Sequence, residues 1–161
     1  MGERWAKPAT SCMVNALGGM TGYSAGEVRS RNDTLPVLVR LGAETVNVGR
    51  VLGNRIEQIM GLDPNRFLDA AAGDGMDALV EDLRVVSQAT GGHRASMLQD
   101  VLKHRPTEIE DLNGYVSRMA LQVDIPAPLC CQPVASRVLP RSVFREVDAG
   151  RSVGSAGPGS G

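Results

Sequence analysis

Three observations predict an all-α fold. Apolar residues recur at three- and four-residue spacing in segment after segment, each opened by a recognisable helix-start signal. No alternating apolar/polar run is long enough to build a sheet. Aromatic residues make up only 3% of the 161 residues, so the core must be built from Leu, Val, Ile, Met and Ala, which favours helices packed on helices. The length suits one compact domain, with residues 1–147 forming a helical body and residues 148–161 a Gly/Ser-rich tail. That tail has too little apolar surface to offset its ordering entropy and is expected to be disordered.

The first helix is expected from Trp5 to Leu17, with Pro8 tolerated in its first turn and Gly18-Gly19 ending or loosening it. Ser24-x-x-Glu27 has the form of a capping box opening a short helix that ends near Arg31. After a turn at Asn32-Asp33, Asp33 or Thr34 caps the next helix and Pro36 sits in its first turn. Leu38, Leu41, Thr45, Val48 and Leu52 mark its buried stripe, it ends at Gly53, and it is the longest. Glu44 projects near that stripe, either as a solvated flank or as an inward hydrogen-bonding group.

Asp63-Pro64 starts another helix, stopped by Gly73-Asp74-Gly75. Met76, Leu79, Val80, Leu83 and Val86 carry the next one up to Thr90-Gly91-Gly92. The stretch Arg94 to Asp100 shows no clean period and is expected to be a polar loop. Thr107-x-x-Glu110 then reads as a capping box for a helix built on Ile109, Leu112, Val116, Met119, Ala120 and Val123. Glu108 would fall in its first turn, where the helix dipole favours a carboxylate. A last helix is expected over Leu129 to Leu139, interrupted by Pro133.

Charge and cysteine content narrow the function. Seventeen Lys plus Arg against eighteen Asp plus Glu leave the chain nearly neutral, with no basic patch for nucleic acid or an anionic membrane. A small molecule or a protein partner fits better. No apolar run near the N-terminus makes a signal-peptide core, Ala6 stands where a myristoylation motif wants Ser or Thr, and no segment reaches the length of a membrane span. The expected compartment is the cytoplasm. Cys12 stands alone and Cys130-Cys131 are adjacent, so reduced thiols are expected. The Cys and His spacings match no zinc site, and neither a nucleophile elbow nor a Cys paired with a His is present.

Lys7, Ser11 and Asn15 follow one another at intervals of four, each about 40° further round the helix axis, so they line one face. On the residues alone, such a stripe reads first as a face turned to water, and Ser96 and Glu108 as ordinary solvated groups.

Taken together, Trp5-x-Lys7, Asn15, Ser96-Met-Leu-Gln-Asp, Thr107-Glu108-Ile109 and Leu112-Asn113-Gly114 resemble, in order and separation, the C-terminal domain of ketopantoate reductases over roughly Trp5 to Val138. The resemblance implies an all-helical domain of the 6-phosphogluconate-dehydrogenase-like type. In that family the domain follows an N-terminal Rossmann domain that binds NADPH, and no Gly-x-Gly-x-x-Gly follows a strand in these 161 residues. By resemblance Lys7 is the general acid, Asn15 and Ser11 bind substrate, Ser96 binds the substrate carboxylate, and Glu108 contacts the cofactor. Ser11 stands where the family usually has a longer-reaching Asn, which leaves the identity of the 2-oxo acid open. Glu44 matches a recurrent family Glu, with a packing role as natural as a direct one. The reaction implied is NADPH-dependent reduction of a 2-oxo acid, most typically 2-dehydropantoate to pantoate. The partner implied is a Rossmann domain, in cis or in trans, without which no turnover is expected. The competing reading is a non-catalytic helical module that serves dimerisation or another protein interaction.

Overall fold

In the computed structural model the described residues are 5–90 and 95–135. They form α1 (Ala6–Thr21), α2 (Ala25–Val28), α3 (Leu35–Val51), α4 (Pro64–Ala71), α5 (Met76–Thr90), α6 (Ser96–Leu102), α7 (Asn113–Gln122) and α8 (Pro128–Ala135). Among the described residues there is no strand, only an isolated bridge between Ile59 and Leu62. None of these helices is long and apolar enough to cross a membrane. The tail expected to be disordered lies outside the described residues, as does the C-terminal end of the helix expected to reach Leu139.

α3 is the longest of these helices and packs against α1, α4, α5, α7 and α8. Its central position follows from its composition: Leu35, Leu38, Val39, Leu41, Val46 and Val48 are all buried, on more than one side. Two glycines set how closely its neighbours approach. A Cβ on Gly42 would lie 2.8 Å from Phe67 Cδ1 of α4 and 2.9 Å from Met13 Sδ of α1. A Cβ on Gly49 would lie 2.8 Å from Ile56 Cδ1 and 2.9 Å from Trp5 Cε3. Because Met13 meets Gly42 while Trp5 meets Gly49, α1 runs antiparallel to α3, two turns of one matched to two turns of the other.

Local start signals hold where their partners lie within a few residues. Ser24 and Glu27 form a complete capping box. Asp63 accepts from Asn65 N at 2.9 Å with Pro64 in the first turn. Thr34 is the N-cap residue of α3 but makes no capping bond; its hydroxyl instead donates to Val28 O at 2.8 Å and ties the turn to α2.

Three expectations are corrected. Gly18-Gly19 do not end α1, which runs on to Thr21 and closes at Gly22 with φ 75°. The two glycines are helical because α6 packs over them: a Cβ on Gly19 would lie 3.1 Å from Met97 Cγ. The stretch beginning at Ser96 is a helix, since Met97 and Leu98 bury one face while Gln99 and Lys103 stay outside, a pattern too short to show a period. Finally, α7 begins at Asn113 after a set of turns over residues 108–112, so Glu108 lies in a turn and not in the helix. Leu112 is its N-cap and supplies no side-chain cap, and Thr107-x-x-Glu110 opens no helix. Asn113 and Gly114 are weak helix formers, and the Asn113 side chain is taken by α1.

Glu44 resolves toward the inward alternative. Its carboxylate accepts from Leu129 N at 3.0 Å and from Cys130 N at 2.8 Å, satisfying two of the unpaired donors at the start of α8 from the middle of α3. Glu44→Ala is therefore expected to cost about 1–2 kcal/mol of unfolding free energy, measured by urea titration, the magnitude of a lost helix cap. An unchanged midpoint would show that α8 holds without this cap.

Cys12 and Cys130 are fully buried on either side of Thr45, whose hydroxyl lies 3.8 Å from Cys130 Sγ. Burial pushes the Cys12 thiol from 9.0 up to about 12. Burial also raises Cys130, reinforced by the nearby Glu44 carboxylate. Both thiols thus keep their protons more tightly folded than unfolded. Stability is full below the ordinary thiol value and falls as pH rises from 9.0 toward the folded value. In native protein at neutral pH an alkylating reagent should modify the exposed Cys131 and reach Cys12 and Cys130 only after unfolding. Equal labelling of all three without denaturant would contradict this packing.

Candidate functional site

The site begins with the geometry of α1. Trp5, Ala9, Cys12, Met13, Ala16 and Leu17 are buried and turn one side of the helix to the core. Lys7, Ser11 and Asn15 occupy the other side, with Lys7 exposed and Ser11 and Asn15 half-buried. Eight residues separate Lys7 from Asn15, about 12 Å along the axis. Among the described residues, neither the Lys7 ammonium nor the Ser11 hydroxyl has a hydrogen-bond partner, so both are available to a ligand.

Asn15 is joined to the far part of the chain. Its Nδ2 donates to Ser96 Oγ at 3.4 Å, across 81 positions of sequence. Ser96 is the first residue of α6, between the buried Ala95 and Met97, and its own side chain is exposed. Since its oxygen receives the Asn15 amide, its hydroxyl hydrogen is left free to donate to another group. That polarity suits an acceptor such as a carboxylate.

Four of the sequence-predicted residues therefore share one region: Lys7, Ser11 and Asn15 on one helix face, with Ser96 bonded to the last of them. Glu108 stands apart. It lies exposed in the turn before α7, where its carbonyl accepts from Leu112 N at 3.0 Å, and no described hydrogen bond links its carboxylate to the other four. Glu44 also lies elsewhere, on α3 with its carboxylate at the start of α8.

Sequence reasoning gave no role to Asn113. Fully buried, it donates from Nδ2 to Cys12 O at 3.3 Å, so the start of α7 is tied to α1 immediately behind Ser11. The available signal was a polar residue beside a glycine at the mouth of an apolar helix, which ordinarily reads as a cap. Its backbone does open α7, but its side chain bonds to a different helix.

The arrangement supplies a cation, two hydroxyls and an amide on rigid helices, with no metal cluster of three or more His, Cys, Asp or Glu among the described residues. It suits binding of a small polar anion and delivery of a proton to it.

Comparison with known proteins identifies the family. The model of the family described as ketopantoate reductase PanE/ApbA C terminal matches residues 1–132. A 2-dehydropantoate 2-reductase of Vibrio cholerae serotype O1 is 29% identical over 125 residues, covering 78% of this chain and 36% of that protein. A 2-dehydropantoate 2-reductase of Pyrococcus horikoshii is 24% identical over 129 residues, covering 80% of this chain and again 36% of the relative. The chain thus spans about a third of the length of the curated relatives it matches. Its fold is similar to that of D-mandelate dehydrogenase, solved as a ternary complex with NADH and anilino(oxo)acetate. The TM-score is 0.62 at 20% identity, over 90% of this chain and 51% of that one. With the family model matching most of its residues and an all-helical fold in agreement, the chain belongs to the ketopantoate reductase family, as its C-terminal domain.

Proposed function

We propose that this chain is the substrate-binding and acid-catalytic half of an NADPH-dependent 2-oxo-acid reductase, with 2-dehydropantoate as substrate and pantoate as product. One observation carries the reading: Lys7, Ser11 and Asn15 line the side of α1 turned from the core, and Asn15 is bonded to Ser96, 81 positions further along the chain. The names of the two curated relatives supply the substrate, and the side chains supply a matching chemistry.

Reduction of a 2-oxo acid adds a hydride to the carbonyl carbon and leaves charge on its oxygen. The Lys7 ammonium offsets that charge as it develops and then donates the proton that completes the alcohol. Ser96 donates its hydroxyl hydrogen to the substrate carboxylate, a polarity imposed by the amide of Asn15. Ser11, between Lys7 and Asn15 on the same face, offers a further hydroxyl to the substrate. NADPH, when bound, supplies the hydride. The described residues contain no strand and so no strand-to-helix cradle for a dinucleotide pyrophosphate. Among the described residues the contribution proposed to cofactor binding is the exposed Glu108 carboxylate, which can accept from a hydroxyl or amide donor. A Rossmann domain, in cis or in trans, is the partner that the reading requires.

The site is tested by titrating 2-dehydropantoate into the isotopically labelled chain and following backbone amide shifts. Shifts are expected at Lys7, Ser11, Asn15 and Ser96, and Lys7→Ala or Ser96→Ala should weaken binding about tenfold, the loss of one hydrogen bond to a charged group. Shifts confined to another surface, or none, would refute the site. This chain alone should oxidise no NADPH in the presence of 2-dehydropantoate, and turnover by it alone would overturn the two-domain account. Once a Rossmann domain completes the enzyme, Lys7→Ala should lower kcat by about a hundredfold or more, as expected for loss of a general acid.

A further inference from the structure

α6 packs on α1 next to the pair formed by Asn15 and Ser96. α1 carries two consecutive glycines in its interior, each a weaker helix former than Ala. At Gly19 the missing side chain is filled by Met97: an added Cβ would lie 3.1 Å from Cγ, 3.3 Å from Sδ and 3.8 Å from Cβ of Met97. Met97 is itself 4% exposed, so the side chain has little room to swing aside. At Gly18 an added Cβ would lie 3.2 Å from Tyr23 O and 3.7 Å from Ala95 Cβ, so both residues flanking Ser96 rest on this step. Meanwhile the Asn15 Nδ2 to Ser96 Oγ bond stands at 3.4 Å, near the outer limit of a hydrogen bond. A displacement of α6 by a few tenths of an ångström breaks it.

We propose that Gly19 and Met97 are positioning residues for the site: the Met97 side chain, seated where Gly19 has none, holds α6 at the height that lets Asn15 orient the Ser96 hydroxyl toward the ligand carboxylate. The proposal rests on the role given to Ser96 under Proposed function. Gly19 and Met97 touch neither substrate nor cofactor in this account. They act through Ser96 alone.

The test uses the full 161-residue chain and separates geometry from binding. In the ligand-free protein, a nuclear Overhauser contact between the Asn15 side-chain amide and the Ser96 β protons reports the geometry. Gly19→Ala is expected to abolish it and to raise the Kd for 2-dehydropantoate about tenfold, with the Lys7 response to ligand retained. Gly19→Ala combined with Met97→Ala removes the colliding Cγ and Sδ. The double variant should regain the contact and most of the affinity while melting at a lower temperature than Gly19→Ala alone, because a buried side chain has been truncated. A purely structural role predicts the opposite, with affinity falling alongside stability. An unchanged contact and Kd in Gly19→Ala, or a double variant that recovers neither, would overturn the proposal. If the contact responds as expected but the unmodified chain binds no 2-dehydropantoate, the positioning stands and the ligand assigned to Ser96 falls.

Discussion

The close approach of α1 to α3 is the constraint on which the rest of the structure depends. Gly42 and Gly49 leave α3 without side chains at two points two turns apart, and Met13 and Trp5 of α1 occupy those spaces. Any Cβ at either point would come within 3 Å of a neighbouring atom. With one side of α1 fixed against α3, the rotation of the helix about its own axis is set. Lys7, Ser11 and Asn15, at intervals of four residues, must then emerge together on the side away from the core. The polar face is thus a consequence of packing on the opposite face. The same contact explains why Trp5 is buried although it lies at the very start of the helix, with Tyr115 of α7 beside it at 6.1 Å between ring centroids.

How much of this was legible in the sequence follows the range of the interactions involved. The capping box at Ser24 and Glu27 and the Asp63-Pro64 start were readable because both partners lie within three residues of each other. The stripe on α3 was readable because a 17-residue helix offers several periods. α6 was not, because seven residues give fewer than two turns, and the two that matter, Met97 and Leu98, are adjacent in sequence. The Gly18-Gly19 pair was misplaced for a related reason. A glycine pair ends a helix when nothing else is known, and here the contact that keeps it helical comes from Met97, 78 positions away. Glu44 shows the limit from the other side, since periodicity placed it near the apolar stripe but only the start of α8 explains why a carboxylate belongs there.

The site divides along the same line. That Lys7, Ser11 and Asn15 share a face is helix geometry, available from residue numbers alone. That Ser96 meets Asn15 is a tertiary fact, and no property of either segment implies it. Glu108 is the residue for which the sequence suggested a specific local environment, the first turn of a helix, and the structure gives it a different one. The turn over residues 108–112 holds its backbone through the bonds from Asp111 N and Leu112 N to its carbonyl, leaving the carboxylate exposed. The helix dipole therefore contributes little to its placement. What anchors that turn is Asn113, whose bond to Cys12 O joins it to α1.

Two ties thus converge on the same few residues of α1. Asn113 reaches the backbone at Cys12, and Ser96 reaches the side chain of Asn15, one turn further on. Each fixes a later segment of chain to the helix that carries Lys7. A general acid works only if the proton it gives and the oxygen that receives it are held within hydrogen-bond range, and the same rigid body must hold the groups that grip the rest of the ligand. With Lys7 in the proposed role, the cation, the Ser11 hydroxyl and the Asn15 amide on one helix would meet that requirement together. In the roles proposed for these residues, a change in the substrate accepted would be felt first at Ser11 and Ser96, which differ in reach and in the helix that carries them, and last at Lys7.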